Sequence, residues 1–268
     1  MGLSLTVQSP GGQPRSLDVA ARLRTVKAIV GETTSDWDDL ERKYRNHERL
    51  NRHRYVEMAE GLFIWRMSDF DLSDEKVDDI MGKVRKKKAL ILDLRGNSGG
   101  QEDTLLRLIG HFFDRDVKVG DIQRRKVTRP LVARSRGKQV FGGELIVLTD
   151  SETASAAEVF ARVVQLEKRG KVIGDRTAGA VMRGKTYMHT IGTDRVVFYG
   201  VVITDANLIM ADGKSLEHAG VTPDKLLIPT GTNLAARRDP VLPYAASLLG
   251  VEIDPGQAAA LFPFEWED

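Results

Sequence analysis

Three short, unbroken apolar runs constrain this chain more than any other feature: Ala89-Leu90-Ile91-Leu92, Leu145-Ile146-Val147-Leu148 and Val172-Ile173. A strand open to water on one face alternates apolar and polar residues, whereas a parallel strand covered on both faces reads as continuous Val, Ile and Leu. Helical periodicity fills the gaps between these runs. Residues 73–87 place Val77, Ile80, Met81 and Val84 on one stripe, with Ser73 as N-cap and Asp74 and Glu75 in the first turn. Residues 104–113 and 155–166 read as two further helices, and 61–67 as a further strand. Strand and helix alternating at this spacing predict an α/β layered domain with a parallel sheet and right-handed crossovers. Beyond Thr177 the pattern turns antiparallel, over 186–191, 195–202 and 226–228. A last amphipathic helix spans about 240–249, and a polar tail punctuated by proline follows.

The N-terminal part reads differently. Residues 3–23 give strand, turn and strand around Pro10-Gly11-Gly12. Two strands bury too little surface to stand alone, so they are expected to be the end of something larger. Residues 35–54 are highly charged and nearly free of apolar side chains, as an exposed helix or linker would be. The start, Met1-Gly2-Leu3-Ser4-Leu5, has neither a basic nor an apolar leader region, so no signal peptide is read in these residues.

Composition removes several function classes. Of the 268 residues 41% are hydrophobic and 29% charged, which is globular and argues against disorder, collagen or coiled coil. No apolar run reaches the roughly 18 residues of a membrane span. Cysteine is absent, which excludes disulfides, thiolate metal sites and cysteine nucleophiles. The net charge is only +2. The basic clusters Lys86-Lys87-Lys88 and Arg124-Arg125-Lys126 therefore read as solvated faces, since nucleic-acid binding shows as a broad basic stripe.

Two strand-to-helix turns could carry chemistry. In the first, Asp93-Leu94-Arg95-Gly96-Asn97-Ser98-Gly99-Gly100, glycines after a buried strand allow positive φ and outward-facing N–H groups; a plain tight turn is the other reading. It is not a phosphate loop, because the Lys-Ser/Thr ending is missing. In the second, Thr149-Asp150-Ser151-Glu152-Thr153-Ala154-Ser155-Ala156-Ala157-Glu158, Ser155 opens a helix. One reading is a capping box, with Ser155 as cap and Glu158 three residues on. The other is a crowded elbow that presents the Ser155 hydroxyl to a cleft, where the Ala156 N–H and an N–H of the glycine turn would face one oxyanion.

Four segments, taken together, resemble the C-terminal-processing (tail-specific) and tricorn-type serine peptidases. They are 89–100, Thr153-Ala154-Ser155-Ala156-Ala157-Glu158, Val172-Ile173-Gly174-Asp175-Arg176-Thr177-Ala178-Gly179, and Glu217-His218-Ala219-Gly220-Val221-Thr222-Pro223-Asp224. They occur in the family's order across about residues 55–230. The resemblance implies a crotonase-like core with a parallel sheet plus antiparallel C-terminal strands. It also implies domains at 1–30 (remnant of a PDZ-like domain), 31–54 (charged linker) and 55–268 (peptidase core).

By position, the resemblance makes Ser155 the nucleophile and gives the oxyanion hole to the N–H of Ala156 and of Gly99 or Gly100. The tail-specific branch uses a lysine three residues after the threonine of its Gly-x-x-Thr motif. That place is Ala180 here, and Lys185 lies five residues further on. The tricorn-like branch uses a histidine base supported by a glutamate, which Glu217 matches. None of the five histidines (His47, His53, His111, His189, His218) matches the base, which is expected from residues upstream of this chain. The chain alone is accordingly expected to be weakly active or inactive. The resemblance implies no cofactor and no metal. It implies a peptide or unfolded-protein substrate, no nucleic acid, no integral membrane segment, and, by analogy, export of the complete protein. The same core also resembles the repeats of interphotoreceptor retinoid-binding protein, a non-enzymatic ligand-binding module, and Ala180 with no matching histidine suits that alternative. A crotonase acting on coenzyme A thioesters would share the oxyanion geometry but leaves Ser155 and Gly220-Val221-Thr222-Pro223-Asp224 unexplained.

Overall fold

The computed structural model describes residues 2–8, 12–20, 53–192 and 197–262. Strands β1 (Gly2–Val7) and β2 (Arg15–Ala20) pair antiparallel, Gly2 opposite Ala20, and belong to one compact unit. The elements from β3 onward belong to a second. The charged segment expected as linker lies almost wholly outside the described residues.

The second unit is built on a six-stranded sheet. Its strands are β3 (Arg54–Glu57), β4 (Leu62–Arg66), β5 (Ala89–Asp93), β8 (Glu144–Thr149), β9 (Lys171–Gly174) and β12 (Lys225–Leu226). The order is β12-β9-β8-β5-β4-β3, parallel throughout except for β3. Alternate residues of the apolar runs enter opposite cores. Phe63, Trp65, Leu90, Leu92, Leu145, Val147 and Val172 face helices α1 (Asp74–Val84), α2 (Glu102–Gly110) and α3 (Ala156–Leu166). Leu62, Ile64, Ile91, Ile146, Leu148 and Ile173 face helices α5 (Val241–Ser247) and α6 (Pro255–Leu261). Burial on both sides is why these strands carry no polar alternation. A short helix, α4 (Gly231–Ala235), precedes α5.

A second sheet packs into the core on the α1–α3 side. It is antiparallel, in the order β10-β11-β6-β7, with β6 at Val117–Gln123, β7 at Thr128–Ala133, β10 at Arg183–Ile191 and β11 at Val197–Met210. The β6–β7 hairpin escaped the sequence reading. Its register shifts between Lys118 and Gly120, so a bulge breaks the period of two that betrays a strand.

Two further expectations need correction. The sequence pattern puts residues 226–228 with the antiparallel strands, yet Lys225–Leu226 pairs parallel with Ile173 and Gly174. Alternation reports that a strand exists, not which way it runs. The C-terminal segment is also not an irregular tail throughout. Asp254 accepts the N–H groups of Gly256 (2.8 Å) and Gln257 (3.2 Å), Pro255 occupies the first helical turn, and α6 follows. Proline there starts a helix rather than ending one.

Candidate active site

The turn after β5 and the turn after β8 are stitched to each other. Asn97 is fully buried; its Nδ2 donates to Met67 O (2.8 Å), its Oδ1 accepts the Gly99 N–H (2.8 Å) and its carbonyl accepts the Ala154 N–H (2.9 Å). Thr153 Oγ1 donates to Leu94 O (2.9 Å), and Asp150 Oδ1 accepts the Gly96 N–H (3.0 Å). Buried polar groups satisfied in this way fix loop shape, since each lost partner leaves a costly unpaired group.

Ser155 stands where these turns meet α3, with φ 54° and ψ −121°. A non-glycine residue in that region costs on the order of 1–3 kcal/mol and persists only where its surroundings over-determine it. The Ser155 N–H faces both Ala180 O (3.0 Å) and Glu158 Oε2 (3.0 Å). Gly99 presses from the other side: a Cβ there would lie 2.5 Å from the Ser155 Cβ and 3.0 Å from the Ala156 nitrogen, and its φ is +99°. The capping-box arrangement is present, but its full hydrogen bond is the Glu158 half; the hydroxyl makes no cap bond of ordinary geometry. Ser155 and Ala156 instead line a cavity of about 270 Å³. Leu105, Ile122, Leu131 and Val159 form its apolar floor, and Gly100, Val181 and Met182 line it as well.

Two N–H groups on this cavity, those of Ala156 and Gly100, donate to no described residue. The Gly99 N–H is different, because Asn97 Oδ1 takes it. Of the two glycine donors expected from the sequence, the geometry leaves Gly100 available.

Two carboxylates organise the facing wall. Glu158 is fully buried, yet no cation among the described residues lies against it. It accepts from Thr177 Oγ1 (2.5 Å), the Gly179 N–H (2.7 Å), the Ala180 N–H (2.9 Å) and the Ser155 N–H (3.0 Å). Glu217 Oε2 accepts the N–H groups of Val181 (2.8 Å) and Met182 (3.0 Å). Thr177 Oγ1 also accepts the Val221 N–H (2.6 Å), which brings in the Glu217–Asp224 motif. The four sequence segments therefore converge on one place. From the sequence alone Glu158 reads only as a helix cap. The available signal was a carboxylate among otherwise apolar positions, Ala156, Ala157, Val159 and Phe160, in the first turn of a buried helix.

The other candidates lie as follows. Ala180, in the lysine place, is exposed beside Ser155, its carbonyl holding the Ser155 N–H. Lys185 pairs with Ile203 on the β10–β11 ladder. His47 is outside the described residues. His53 Nε2 meets Asp69 Oδ1 (3.2 Å). His111 Nε2 meets Asp78 Oδ1 (2.8 Å), and burial pushes its ring below the ordinary histidine range despite that carboxylate. His189 lies on β10. His218 is 92% exposed, with Nε2 3.9 Å from Glu217 Oε1.

Behind the site, buried Asp93 grips Arg95 through both oxygens (2.8 and 2.7 Å), and Arg95 reaches on to Asp239 (2.8 Å) ahead of α5. Burial would raise the Asp93 carboxyl, but the adjacent Arg95 guanidinium outweighs it and holds the group below the usual carboxylate range.

The profile of peptidase family S41 matches residues 63–227, more than half of the chain. Over 162 residues the chain is 31% identical to "tricorn protease homolog 2" of Streptomyces coelicolor, covering 60% of this chain and 13% of that protein. Over 153 residues it is 26% identical to the carboxy-terminal processing protease CtpA of Bacillus subtilis, covering 56% of this chain and 31% of that one. The chain thus spans less than a third of the length of these relatives. Among solved structures, the photosystem II D1 C-terminal processing protease shares the fold, with a TM-score of 0.51, 20% identity, and coverage of 85% of this chain and 56% of that one. With four motifs meeting at Ser155 and a family profile spanning all four, the chain belongs to peptidase family S41 and carries a serine peptidase domain.

Proposed function

We propose that Ser155 attacks a peptide carbonyl from within this cavity. The observation that carries the reading is the strained Ser155 elbow, which borders a cavity whose lining residues Ala156 and Gly100 have N–H groups that donate to no described residue. In the proposed sequence a base removes the Oγ proton as Oγ bonds to the carbonyl carbon. The negative charge on the carbonyl oxygen is met by the Ala156 and Gly100 N–H groups. Donors so placed contribute about 3 kcal/mol each in studied enzymes. The protonated base then gives its proton to the leaving amine, and water releases the acyl group by the reverse sequence. Glu217, with Oε2 committed to two amides, offers Oε1 to orient a histidine base. None of the described histidines stands against the Ser155 hydroxyl as that base.

The finer fold reading belongs to the same proposal: a crotonase-like core at 55–268, a charged linker at 31–54 and a PDZ-like remnant at 1–30. So does export of the complete protein. No helix among the described residues is long and apolar enough to cross a membrane. A ligand-binding module would account for the apolar floor but not for the strain at Ser155.

A fluorophosphonate probe tests the reading. The expected result is covalent labelling that Ser155→Ala abolishes, with slow cleavage of an unstructured peptide by the chain alone. Tight retinoid or fatty-acid binding without labelling would favour the module, and rapid Ser155-dependent cleavage would remove the need for an external base.

A further inference from the structure

Four consecutive amides, Gly179 to Met182, all donate to carboxylates, and the donors split evenly between two residues. Gly179 (2.7 Å) and Ala180 (2.9 Å) donate to Glu158. Val181 (2.8 Å) and Met182 (3.0 Å) donate to Glu217 Oε2. The segment forms no strand at these positions, so the two carboxylates stand in for a pairing strand. A helix cap does not need this. A glutamate at the third helical position can cap from the surface with one bond to the cap N–H. Glu158 is instead fully buried and gathers three more donors from a segment about twenty residues away. Burying a carboxylate without a cation is costly unless its oxygens are filled by hydrogen bonds, and the positive end of α3 favours the charge there.

We infer that Glu158 and Glu217 divide the positioning of this site: Glu158 locks the nucleophile elbow to the wall segment, and Glu217 sets the cavity wall that meets the substrate side chain. Glu158 joins the two halves because Oε2 takes both the Ser155 and the Ala180 N–H groups. Glu217 touches only the half that lines the cavity, Val181 and Met182. Its hold on the cavity wall is made through Oε2, which leaves Oε1 for any support it lends a base. The functional half of this inference rests on the serine-peptidase reading of Ser155; the structural half does not.

The test pairs amide exchange with covalent labelling. By NMR, Glu158→Gln places an NH2 among N–H donors and should raise exchange at Gly179 and Ala180 at least tenfold, leaving Val181 and Met182 within about threefold. Glu217→Gln should do the reverse. Glu158→Asp keeps the charge and the helix cap but shortens the reach, so it should retain the thermal stability of a capped helix while fluorophosphonate labelling of Ser155 falls at least tenfold. Glu217→Gln should reduce the preference for dansyl-Ala-Ala-Leu over dansyl-Ala-Ala-Gly, read by fluorescence anisotropy, at least threefold. Labelling of Glu158→Asp at the unsubstituted rate, or exchange that rises equally at all four amides in both variants, would overturn the division. If the unsubstituted chain takes no label even with imidazole supplied as an external base, the peptidase reading fails while the exchange pattern still decides the bracket.

Discussion

Ser73 and Ser155 occupy equivalent places in two helices, and their sequences look alike. Each directly precedes the first turn, α1 with Asp74 and Glu75 and α3 with Glu158. Ser73 behaves as propensity dictates. Its φ and ψ are −67° and 157°, and its hydroxyl accepts the Lys76 N–H at 3.4 Å. Ser155 has φ 54° and ψ −121°, with a hydroxyl that is not a full cap and an acidic partner buried under the site. The difference comes from what surrounds each serine. Ser73 is exposed, whereas Ser155 is wedged between Gly99 and Ala180. A relaxed cap contributes to stability; a strained one aimed at a cavity is useful only if the hydroxyl acts.

The strongest way to break this contrast is to truncate both hydroxyls. Ser155→Ala should abolish whatever fluorophosphonate labelling the chain shows, with a change in unfolding free energy below about 1 kcal/mol. Equal labelling of the variant would make Ser155 an ordinary cap. Next in size is Gly99→Ala. The added methyl would sit 2.5 Å from the Ser155 Cβ at a backbone φ of +99°. Labelling should drop about a hundredfold, and chemical denaturation should show a loss of about 1–3 kcal/mol. A variant that labels normally would mean that the two loops do not constrain each other.

Ser73→Ala should leave labelling unchanged and cost about 0.5–1 kcal/mol in urea unfolding, toward the low end because the bond is long and exposed. The smallest effect concerns pH. Asp78 on α1 is bonded by Arg107 on α2 and by His111, and chiefly the Arg107 guanidinium lowers its carboxyl from 3.8 to about 2. A depressed folded-state value adds stability above the unfolded value and loses it as pH falls toward the folded one. Thermal melts of Asp78→Asn should therefore decline less steeply than those of the unsubstituted protein between about pH 4 and 2. Labelling at neutral pH should be unaffected. Parallel curves would show that this ion pair is screened by solvent.

Much of the frame was legible because it rests on burial. The runs at 89–92, 145–148 and 172–173 could only be strands covered on both faces, and the stripes on α1 and α3 could only face a core. The motif residues were legible too, since glycines, a serine among alanines and a glutamate before Gly-Val-Thr-Pro-Asp are unusual enough to stand out. Less was legible where period or direction carried the information. The bulge in β6 hid a hairpin, and β12 shows no sign of its direction. The role of Glu158 was hidden because three of its four donors come from Thr177, Gly179 and Ala180, remote in the chain.

By itself, then, the sequence determined which segments become strands and helices in the sheet core, because side-chain hydrophobicity and its spacing are local properties. Tertiary structure alone decided that one serine cap is relaxed and the other strained. It also decided that the Gly99 N–H is spent on Asn97 while that of Gly100 is left, and that two distant carboxylates hold one wall. Those outcomes depend on which donors meet which acceptors across the fold, and hydrogen bonds between remote segments leave no periodic trace along a chain.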